Sequence, residues 1–427
     1  MELPEEAGEG PDRVGLLRRM LYGLRSAAAT WEQHYADKLQ GEGFERGLSS
    51  PVAFYHPGRR VSLVVHGDDF TFVGLPPELD WAESIMKRWY QVKIRARLGP
   101  EPDDDKSATL LGRTIAWHEW GVSCRSDPKY RARVLQALGL TEESKSLAAT
   151  GKKEPLGGDE EEGPRFMGED GDFRSIVASV NYMAIDQPDL QYACKEACRE
   201  MAAPTPGAWL KLKRLARYLV GRSETIWRYP WKQGHGEWKV YVDSDWAGDT
   251  VSRKSTSGGA MMLGNHCIKT WSTTQGTIAL SSCEAEYYAL VDGASRTLGL
   301  QAAAKELGIL AEGVSVEAAI DSSAAKSYAS QRGAGRIRHV EVKQLWLQQA
   351  VAEGRIRLVK IAGQDNPADA MTKYLSRDVL ARLLGAIGVE VVAAPQRARR
   401  EKEENGDPSA GGGWLCLGPG ECWADAM

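Results

Sequence analysis

The chain has 427 residues, which is enough for roughly two to four domains that each bury a core of their own. It carries 54 Lys and Arg against 58 Asp and Glu, a net charge of −4, so any surface for a polyanion must be local. With 42% hydrophobic and 26% charged residues, the composition excludes a wholly disordered or fibrous protein.

The composition also bears on the compartment. No apolar stretch approaches the roughly 20 residues of a membrane span, and the acidic N-terminus lacks the basic and apolar regions of a secretory signal. The seven cysteines are odd in number, dispersed and without CxxC pairs, which is typical of reduced thiols. We therefore expect an intracellular protein without a membrane partner, with cytoplasm and nucleus both open.

The first block of the chain, residues 1–143, has the mixed pattern of an α+β region. Apolar residues at every fourth position predict a helix over 16–44. Alternating apolar residues over 61–65 and 70–72 predict the two strands of a hairpin. The remaining predicted elements are a helix through residues 82–89, an acidic loop at 101–105, two strands around 108–125 and a helix around 128–139.

A change of composition separates this block from the rest. Residues 144–171 are rich in Gly, Lys and Glu without periodicity, which predicts a solvated linker. Residues 172–236 are predicted to form a helical connection, in which one helix has an apolar face and a basic face. A solvated surface and a phosphate-binding surface fit the basic face equally well. Its members are Lys211, Lys213, Arg214 and Arg217.

The last folded block is predicted at residues 237–376. Three strands precede its first helix, and strands alternate with helices afterwards, which predicts a mixed sheet with an antiparallel beginning and a parallel continuation. Residues 377–427 are predicted to be a mostly disordered tail. The predicted strands cover 237–243, 258–263, 267–273, 314–321 and 355–363, and helices begin at 281, after 321, near 339 and at 366.

Two carboxylates of this block follow buried strands. Asp243 ends an apolar strand, where an unpaired acid is costly to bury, and Asp321 stands where a strand passes into a helix. Each has a structural alternative: Asp243 pairs with Lys239 or Arg253, and Asp321 caps the next helix. Asp245 is a rival for the first position, because it lies two residues from Asp243 on the same strand face.

Two more carboxylates lie near helix starts. Glu284 has capping-box spacing to Ser281, which leaves Glu286 without a structural task. Asp369 lies in the first turn of a helix whose N-cap is Asn366. The alternatives are a surface position for Glu286 and a simple interaction of Asp369 with the helix dipole.

As a set, these carboxylates have the chemistry of a site for two hard divalent cations. Two Mg²⁺ ions about 4 Å apart activate water and stabilise the leaving oxygen in an in-line displacement at phosphorus. The pattern therefore predicts two Mg²⁺ or Mn²⁺ ions at Asp243, Glu286, Asp321 and Asp369.

The segments that carry these residues resemble a known family. In order and spacing they resemble the ribonuclease H domain of copia-type LTR retrotransposon Pol polyproteins, through YVDSDWAGDTVSRKSTSGGAMML, ALSSCEAEYYAL, IDSSAAKSYA, RHVEVKQLWLQQAVAEGRIRLVKI and NPADAMTKYL. The resemblance implies a ribonuclease H-like fold and hydrolysis of the RNA strand of an RNA–DNA hybrid. It implies Asp243, Glu286, Asp321 and Asp369 as the catalytic metal ligands, and a full-length Pol chain is a second partner that it allows. It assigns no role to His339, which we expect on a helix surface.

The upstream part resembles the reverse transcriptase of the same polyproteins, through LLRRMLYGLRSAAATW, HGDDF, FRSIVASVNYMAIDQPDL and PGAWLKLKRLARYLVGR. Asp68 and Asp69 match the metal-binding pair of the palm hairpin, and His66 and Gly67 stand where the family has Tyr and Val. The family places a further aspartate on a strand upstream, where this chain has only an acidic stub with Asp12. We therefore expect a partial palm that does not extend primers by itself.

The sequence thus predicts a Pol fragment that acts as a ribonuclease H-type endonuclease. A non-catalytic nucleic-acid-binding remnant is the alternative, and an interaction module with structural acids is a third hypothesis.

Overall fold

The structure is a computed structural model, and it describes residues 20, 23–152, 170–231, 236–309, 315–335 and 339–394. In these residues the chain forms ten α-helices and three β-sheets, a mixed α/β architecture. None of these helices combines the length and the apolar character that a bilayer crossing requires.

The first sheet has four antiparallel strands in chain order, β1 to β4, with a helix before and after it. Its core includes the buried side chains Leu39, Phe54, Leu63 and Ile85. The predicted hairpin is confirmed, and the predicted first helix begins at Ala27. The elements are α1 (Ala27–Gly41), β1 (Glu45–Arg46), β2 (Ala53–His56), β3 (Val61–His66), β4 (Asp69–Val73) and α2 (Pro76–Trp89).

The second sheet draws on distant parts of the chain. Its five antiparallel strands have the order β14-β8-β7-β6-β5. The elements are β5 (Ser107–Leu110), β6 (Arg113–His118), β7 (Gly121–Ser126), α3 (Lys129–Ala137), α4 (Asp170–Ala184), α5 (Pro188–Cys198), α6 (Pro206–Val220), β8 (Arg222–Pro230), α10 (Arg377–Ala386) and β14 (Val389–Ala393).

This sheet corrects two predictions about strands. Residues 108–125 were expected to hold two strands but form parts of three, because Leu111 and Gly112, both at positive φ, turn the chain between β5 and β6. Residues 172–236 are not wholly helical, because β8 pairs with β7 on one side and β14 on the other. The sheet therefore joins strands from before the linker, from the connection and from beyond residue 376.

The predicted disorder of residues 377–427 is wrong for residues 377–394. They form α10 and β14, because Leu380, Leu384 and Val389 are buried in a cluster with Trp227 of β8. The rest of that prediction, residues 395–427, lies outside the described residues, as do residues 153–169 of the predicted linker.

The third sheet confirms the predicted mixed order. Its strand order is β11-β10-β9-β12-β13, antiparallel from β11 to β9 and parallel from β9 to β13. The elements are β9 (Trp238–Asp245), β10 (Thr256–Leu263), β11 (His266–Thr274), α7 (Ser282–Glu306), β12 (Val316–Ile320), α8 (Ser323–Ser330), α9 (Val342–Ala352), β13 (Ile356–Lys360) and two 3₁₀ helices, Gly363–Asp365 and Pro367–Met371. The helix predicted from residue 366 is thus a 3₁₀ helix.

Two close contacts fix the layers on either side of β9. On one side Gly293 of α7 lies against β9, because a Cβ at this position would stand 2.4 Å from Val242 Cγ1. On the other side Gly258 of β10 lies beneath the second 3₁₀ helix, where a Cβ would stand 2.9 Å from Met371 Cβ. Helical segments therefore approach the same end of β9 from both faces of the sheet.

Candidate metal centre

Three of the four predicted carboxylates lie together at this end of β9. Asp243, Glu286 and Asp321 each offer one oxygen, and these oxygens lie within 4.8 Å of one another. In the described part of the chain, no other group of three or more His, Cys, Asp or Glu residues offers ligand atoms this close. We call these three residues the acidic cluster.

Asp243 is held by the segment that contains the second 3₁₀ helix. Its side chain is buried, and Thr372 donates a hydroxyl hydrogen bond to its Oδ2. Asn366, the N-cap of the 3₁₀ helix as predicted, donates from Nδ2 to the carbonyl oxygen of Val242 at 2.8 Å. Gly258 pairs with Asp243 across the sheet, and its lack of a side chain lets the 3₁₀ helix approach.

Glu286 is placed by the way α7 begins and packs. Ser281 Oγ accepts a hydrogen bond from the Glu284 amide at 3.3 Å, and Glu284 Oε2 accepts one from the Leu280 amide at 3.0 Å. The predicted capping role of Glu284 is therefore confirmed. Gly293 follows Glu286 by two helical turns on the same face, so its contact with β9 brings Glu286 to the sheet. The Oε2 atom of Glu286 is buried, and hydrogen bonding from Ser244 opposes part of the effect of burial on the pKa of this carboxyl.

Asp321 follows β12 and does not cap the next helix. Ser322 does this instead, since its Oγ accepts a hydrogen bond from the Ala325 amide at 3.2 Å. Lys239 pairs with Glu317 at 2.8 Å, so it is not the partner of Asp243 that one alternative proposed. The predicted alternatives of a Lys239 pair for Asp243 and a helix cap for Asp321 are therefore wrong, and the cation that contacts Asp243 is Lys373.

Asp369, the fourth predicted carboxylate, is not a member of the acidic cluster. Lys373 connects the two: its Nζ lies 2.8 Å from Asp369 Oδ1 and 3.3 Å from Asp243 Oδ2. Lys373 and Thr372 were not predicted from the sequence. The spacing of four residues from Asp369 to Lys373 was the available signal, because residues this far apart share a helix face.

Burial, together with neighbouring negative charge, raises the pKa of two carboxylates of the acidic cluster. Burial raises the pKa of Asp243 to about 7, against the opposing charge of Lys373 and with the added repulsion of Asp369 and Asp321. Burial also raises the pKa of Glu286 to about 8, with the charges of Asp243 and Asp321 adding to the effect. A divalent cation would relieve both effects, because it favours the ionised forms.

The acidic cluster fits a hard divalent cation. Carboxylate oxygens are the ligands that Mg²⁺ and Mn²⁺ prefer, and three of them converge here from separate elements. The Glu286 carboxylate adds a buried acceptor whose ionised form is disfavoured by its surroundings, and a cation would compensate it.

The rival Asp245 has other partners. Strand β9 extends through it, so it shares a face with Asp243 as predicted. Its Oδ1 accepts a hydrogen bond from the Thr256 amide at 2.5 Å, and its Oδ2 accepts one from the Tyr192 hydroxyl at 3.5 Å. Asp245 is not in the acidic cluster.

The hairpin carboxylates form a different arrangement. His66 pairs with Asp69 across the two strands, so Gly67 and Asp68 form the turn, and Gly67 has a φ of 61°. Asp69 makes an ion pair with Arg95 at 3.0 Å. Neither aspartate belongs to a group of three close ligands within the described residues, and Asp12 lies outside them.

The basic face of α6 is partly engaged by the protein itself. Lys211 pairs with Glu200 at 3.4 Å, and Arg217 Nε donates to the carbonyl oxygen of Lys145 at 2.9 Å. Lys211 is exposed, whereas Lys213, Arg214 and Arg217 are half-buried.

His339 is not on a helix surface, so that expectation is wrong. It lies in the turn before α9, and its Nε2 lies 3.0 Å from Glu284 Oε2. This contact joins the turn to the beginning of α7, two residues from Glu286.

A cleft of about 720 Å³ lies elsewhere, lined by residues of β7, β8, α5 and β11, among them Arg125, Trp227, Gln191 and Thr270. None of the three carboxylates of the acidic cluster lines it.

Comparisons with known proteins identify the chain's relatives. It is 27% identical over 392 residues to the retrovirus-related Pol polyprotein from transposon RE2 of Arabidopsis thaliana, covering 89% of this chain and 25% of the relative. The corresponding polyprotein from transposon TNT 1-94 of Nicotiana tabacum is 26% identical over 401 residues, covering 88% of this chain and 28% of the relative. Over most of its length, the chain is therefore similar to retrovirus-related Pol polyproteins of transposons. The predicted resemblance is thus confirmed.

This Pol-related chain spans about a quarter of the length of the curated relatives that it matches. No protein-family model matches it. Among solved structures, the N-terminal RNase H domain of rv2228c from Mycobacterium tuberculosis, in a fusion with maltose binding protein, aligns with 35% of this chain and 98% of that chain. The identity is 16% and the TM-score 0.22, so the fold description depends on the strand order instead.

Proposed function

We propose that this Pol-related chain is a divalent-metal-dependent ribonuclease H that hydrolyses the RNA strand of RNA–DNA hybrids. The observation that carries the proposal is the acidic cluster, in which Asp243, Glu286 and Asp321 converge from three elements of one mixed sheet domain. Hydrolysis at phosphorus by this route needs carboxylates and a metal ion, and it needs no nucleophilic side chain.

The fold and the ancestry support the substrate. Along the third sheet the strands stand in the order third, second, first, fourth, fifth of their block, with antiparallel pairing only among the first three. This agrees with the ribonuclease H-like fold that the motifs of residues 237–376 resemble. The similarity to Pol polyproteins supports the proposal that the substrate is an RNA–DNA hybrid.

The chain's own residues prepare the site. Mg²⁺ or Mn²⁺, held by the acidic cluster, would activate water and stabilise the leaving oxygen. Hydrogen bonds from Thr372 and Asn366 fix the end of β9 and restrain the Asp243 carboxylate in its orientation toward the acidic cluster. The capped start of α7 and the close contact of Gly293 fix Glu286. Asp369 is the proposed fourth ligand. It lies outside the acidic cluster, and Lys373 contacts both Asp369 and Asp243.

Contacts to nucleic acid are proposed on the basic face of α6. Lys211, Lys213, Arg214 and Arg217 lie on one helix in the connection, and phosphate contacts of this kind position a duplex without reading its sequence. Because Lys211 and Arg217 have protein partners, binding would exchange these contacts for phosphate oxygens.

The hairpin at residues 66–69 is proposed to be a remnant of a polymerase palm. Asp69 is paired with Arg95, and no third ligand lies near the hairpin pair within the described residues. We therefore expect no primer extension by this chain alone. Incorporation of nucleotides on a primed RNA template would contradict that expectation.

A cleavage assay on a labelled RNA–DNA hybrid tests the proposal. The wild-type chain should cleave the RNA strand with Mg²⁺ and not with EDTA. Asp243→Asn should abolish cleavage, whereas Asp245→Asn is the matched control on the same strand face and should retain it, because Asp245 lies outside the acidic cluster. Hybrid binding without cleavage by the wild-type chain would support the non-catalytic remnant instead.

A further inference from the structure

Lys373 places a positive charge between two carboxylates of the candidate centre. Its Nζ lies 3.3 Å from Asp243 Oδ2, which is buried, and 2.8 Å from Asp369 Oδ1. The lysine follows Asp369 by four residues, directly after Thr372, which also contacts Asp243. Its ammonium group is therefore held at this position by the same segment that fixes Asp243.

The two carboxylate oxygens that Lys373 contacts belong to the residues that would share a second cation. Asp243 is a member of the acidic cluster, whereas Asp369 is the proposed ligand outside it. A metal ion bridging Asp243 and Asp369 would need both carboxylates as ligands. An ammonium group within hydrogen-bonding distance of both occupies that space and supplies one positive charge there.

We propose that Lys373 takes the place of a second divalent cation, so that the protein without substrate binds one ion at Asp243, Glu286 and Asp321. The inference rests on the proposed function of the acidic cluster. It departs from the sequence-based expectation of two ions held by four free carboxylates, because the fourth carboxylate is neutralised by the chain itself.

Removal of Lys373 should also reduce the stability of the fold. Without Lys373, Asp243 remains buried beside Asp369 and Asp321 and loses the positive charge that contacts it among the described residues. Removing one partner of a buried charge leaves the other uncompensated, which destabilises the fold. A divalent ion should then stabilise the variant more than it stabilises the wild-type chain, because it restores the missing charge at this place.

The number of Mn²⁺ ions bound per chain tests the inference. Calorimetric titration gives this number, and electron paramagnetic resonance measures the Mn²⁺ that remains free. The wild-type chain should bind one ion, and Lys373→Met, which retains the apolar stem, should bind two. Lys87→Met is the matched control, since Lys87 also pairs with an acid four residues away, Glu83, on α2 beside the first sheet. It should bind one ion like the wild type. The double variant Lys373→Met/Asp369→Asn should bind one ion again, because it lacks the Asp369 carboxylate that the Lys373→Met substitution frees.

Thermal unfolding with and without Mn²⁺ gives a second readout that does not depend on activity. The increase in melting temperature on adding Mn²⁺ should be larger for Lys373→Met than for the wild type. Two ions in the wild-type chain, or an equal number in the wild type and Lys373→Met, would overturn the inference. No ion in either protein would remove the proposed metal centre as well. Correct ion counts without hybrid cleavage would leave the inference standing and contradict only the proposed function.

Discussion

The two acidic sites of this chain differ in how many elements supply their carboxylates. At the hairpin, Asp68 and Asp69 are neighbours in one turn, and Asp69 is paired with Arg95. In the third sheet, Asp243, Glu286 and Asp321 come from a strand, a helix and a strand end, and their oxygens lie within 4.8 Å of one another. Adjacent acids in this turn therefore do not bring three ligand atoms together within the described residues, whereas distant acids on a packed sheet do.

Burial separates the two sites further. The Asp243 side chain is 2% exposed, while the Asp69 side chain is 33% exposed. A buried cluster of carboxylates costs free energy unless a cation compensates it, and a half-exposed carboxylate with an arginine does not carry this cost.

The largest expected effect comes from removing one carboxylate of the acidic cluster, and the matching change at the hairpin is its control. Glu286→Gln should reduce hybrid cleavage by more than about 100-fold, because it removes a metal ligand, an effect at least as large as that of losing a supporting contact. Asp69→Asn should leave cleavage unchanged. Single-turnover rates with a labelled hybrid provide the measurement, and equal losses in both variants would break the distinction between the sites.

The pH dependence of stability should follow the raised pKa values. Glu286 titrates near pH 8 in the folded chain and near its ordinary value of 4.5 in the unfolded chain. Its protonated form stabilises the fold below about pH 4.5, and this contribution is lost as the pH rises through 8. The same sign holds for Asp243, with a folded pKa of about 7. Without divalent metal, the free energy of unfolding should therefore decrease from pH 5 to pH 8.

Urea titrations across this pH range test the sign. Glu286→Gln should have a smaller decrease with pH than the wild type, since the amide does not titrate. Mg²⁺ should oppose the decrease, and its affinity should increase with pH because binding requires the ionised carboxylates. A stability that increases with pH in the absence of metal would contradict the electrostatic account of the cluster.

Packing beneath the acidic cluster should respond to a single methyl group. Gly293→Ala places a Cβ 2.4 Å from Val242 Cγ1, so we expect it to reduce the free energy of unfolding by about 1–3 kcal/mol and to weaken Mg²⁺ binding. Gly299→Ala is the matched control on the same helix, because nothing lies within 4 Å of a Cβ there. It should stabilise the chain by up to about 1 kcal/mol through helix propensity. Denaturant unfolding distinguishes the two, and equal effects would show that α7 does not need this close contact.

The smallest expected effect is at the hairpin turn. Gly67 has a φ of 61°, so Gly67→Ala should cost about 1–2 kcal/mol of unfolding free energy. Hybrid cleavage should not change, because the hairpin is separate from the acidic cluster. Gly41→Ala, at a glycine without positive φ and with nothing within 4 Å of a Cβ, is the control for the substitution itself. A loss of cleavage in Gly67→Ala would connect the hairpin to the nuclease site.

Local pattern and spacing determined much of this protein. The order of strands and helices from residue 238 to residue 371, the capping of α7 by Ser281 and Glu284, and the resemblance to Pol polyproteins all followed from the sequence. They depend on periodicity, on contacts between residues a few positions apart, and on motifs in a fixed order, all of which can be read along one chain.

Only the tertiary structure decided the pairing of β8 with β7 and β14, the separation of Asp245 from the acidic cluster, and the position of Lys373 between Asp243 and Asp369. Each of these depends on contacts between residues far apart in the chain. Strand β14 is ordered because its apolar side chains find a surface on β8, more than 150 residues earlier. The local sequence of a short amphipathic segment or a charged side chain does not specify its partner. Packing and electrostatics in the folded chain determine which partner it contacts.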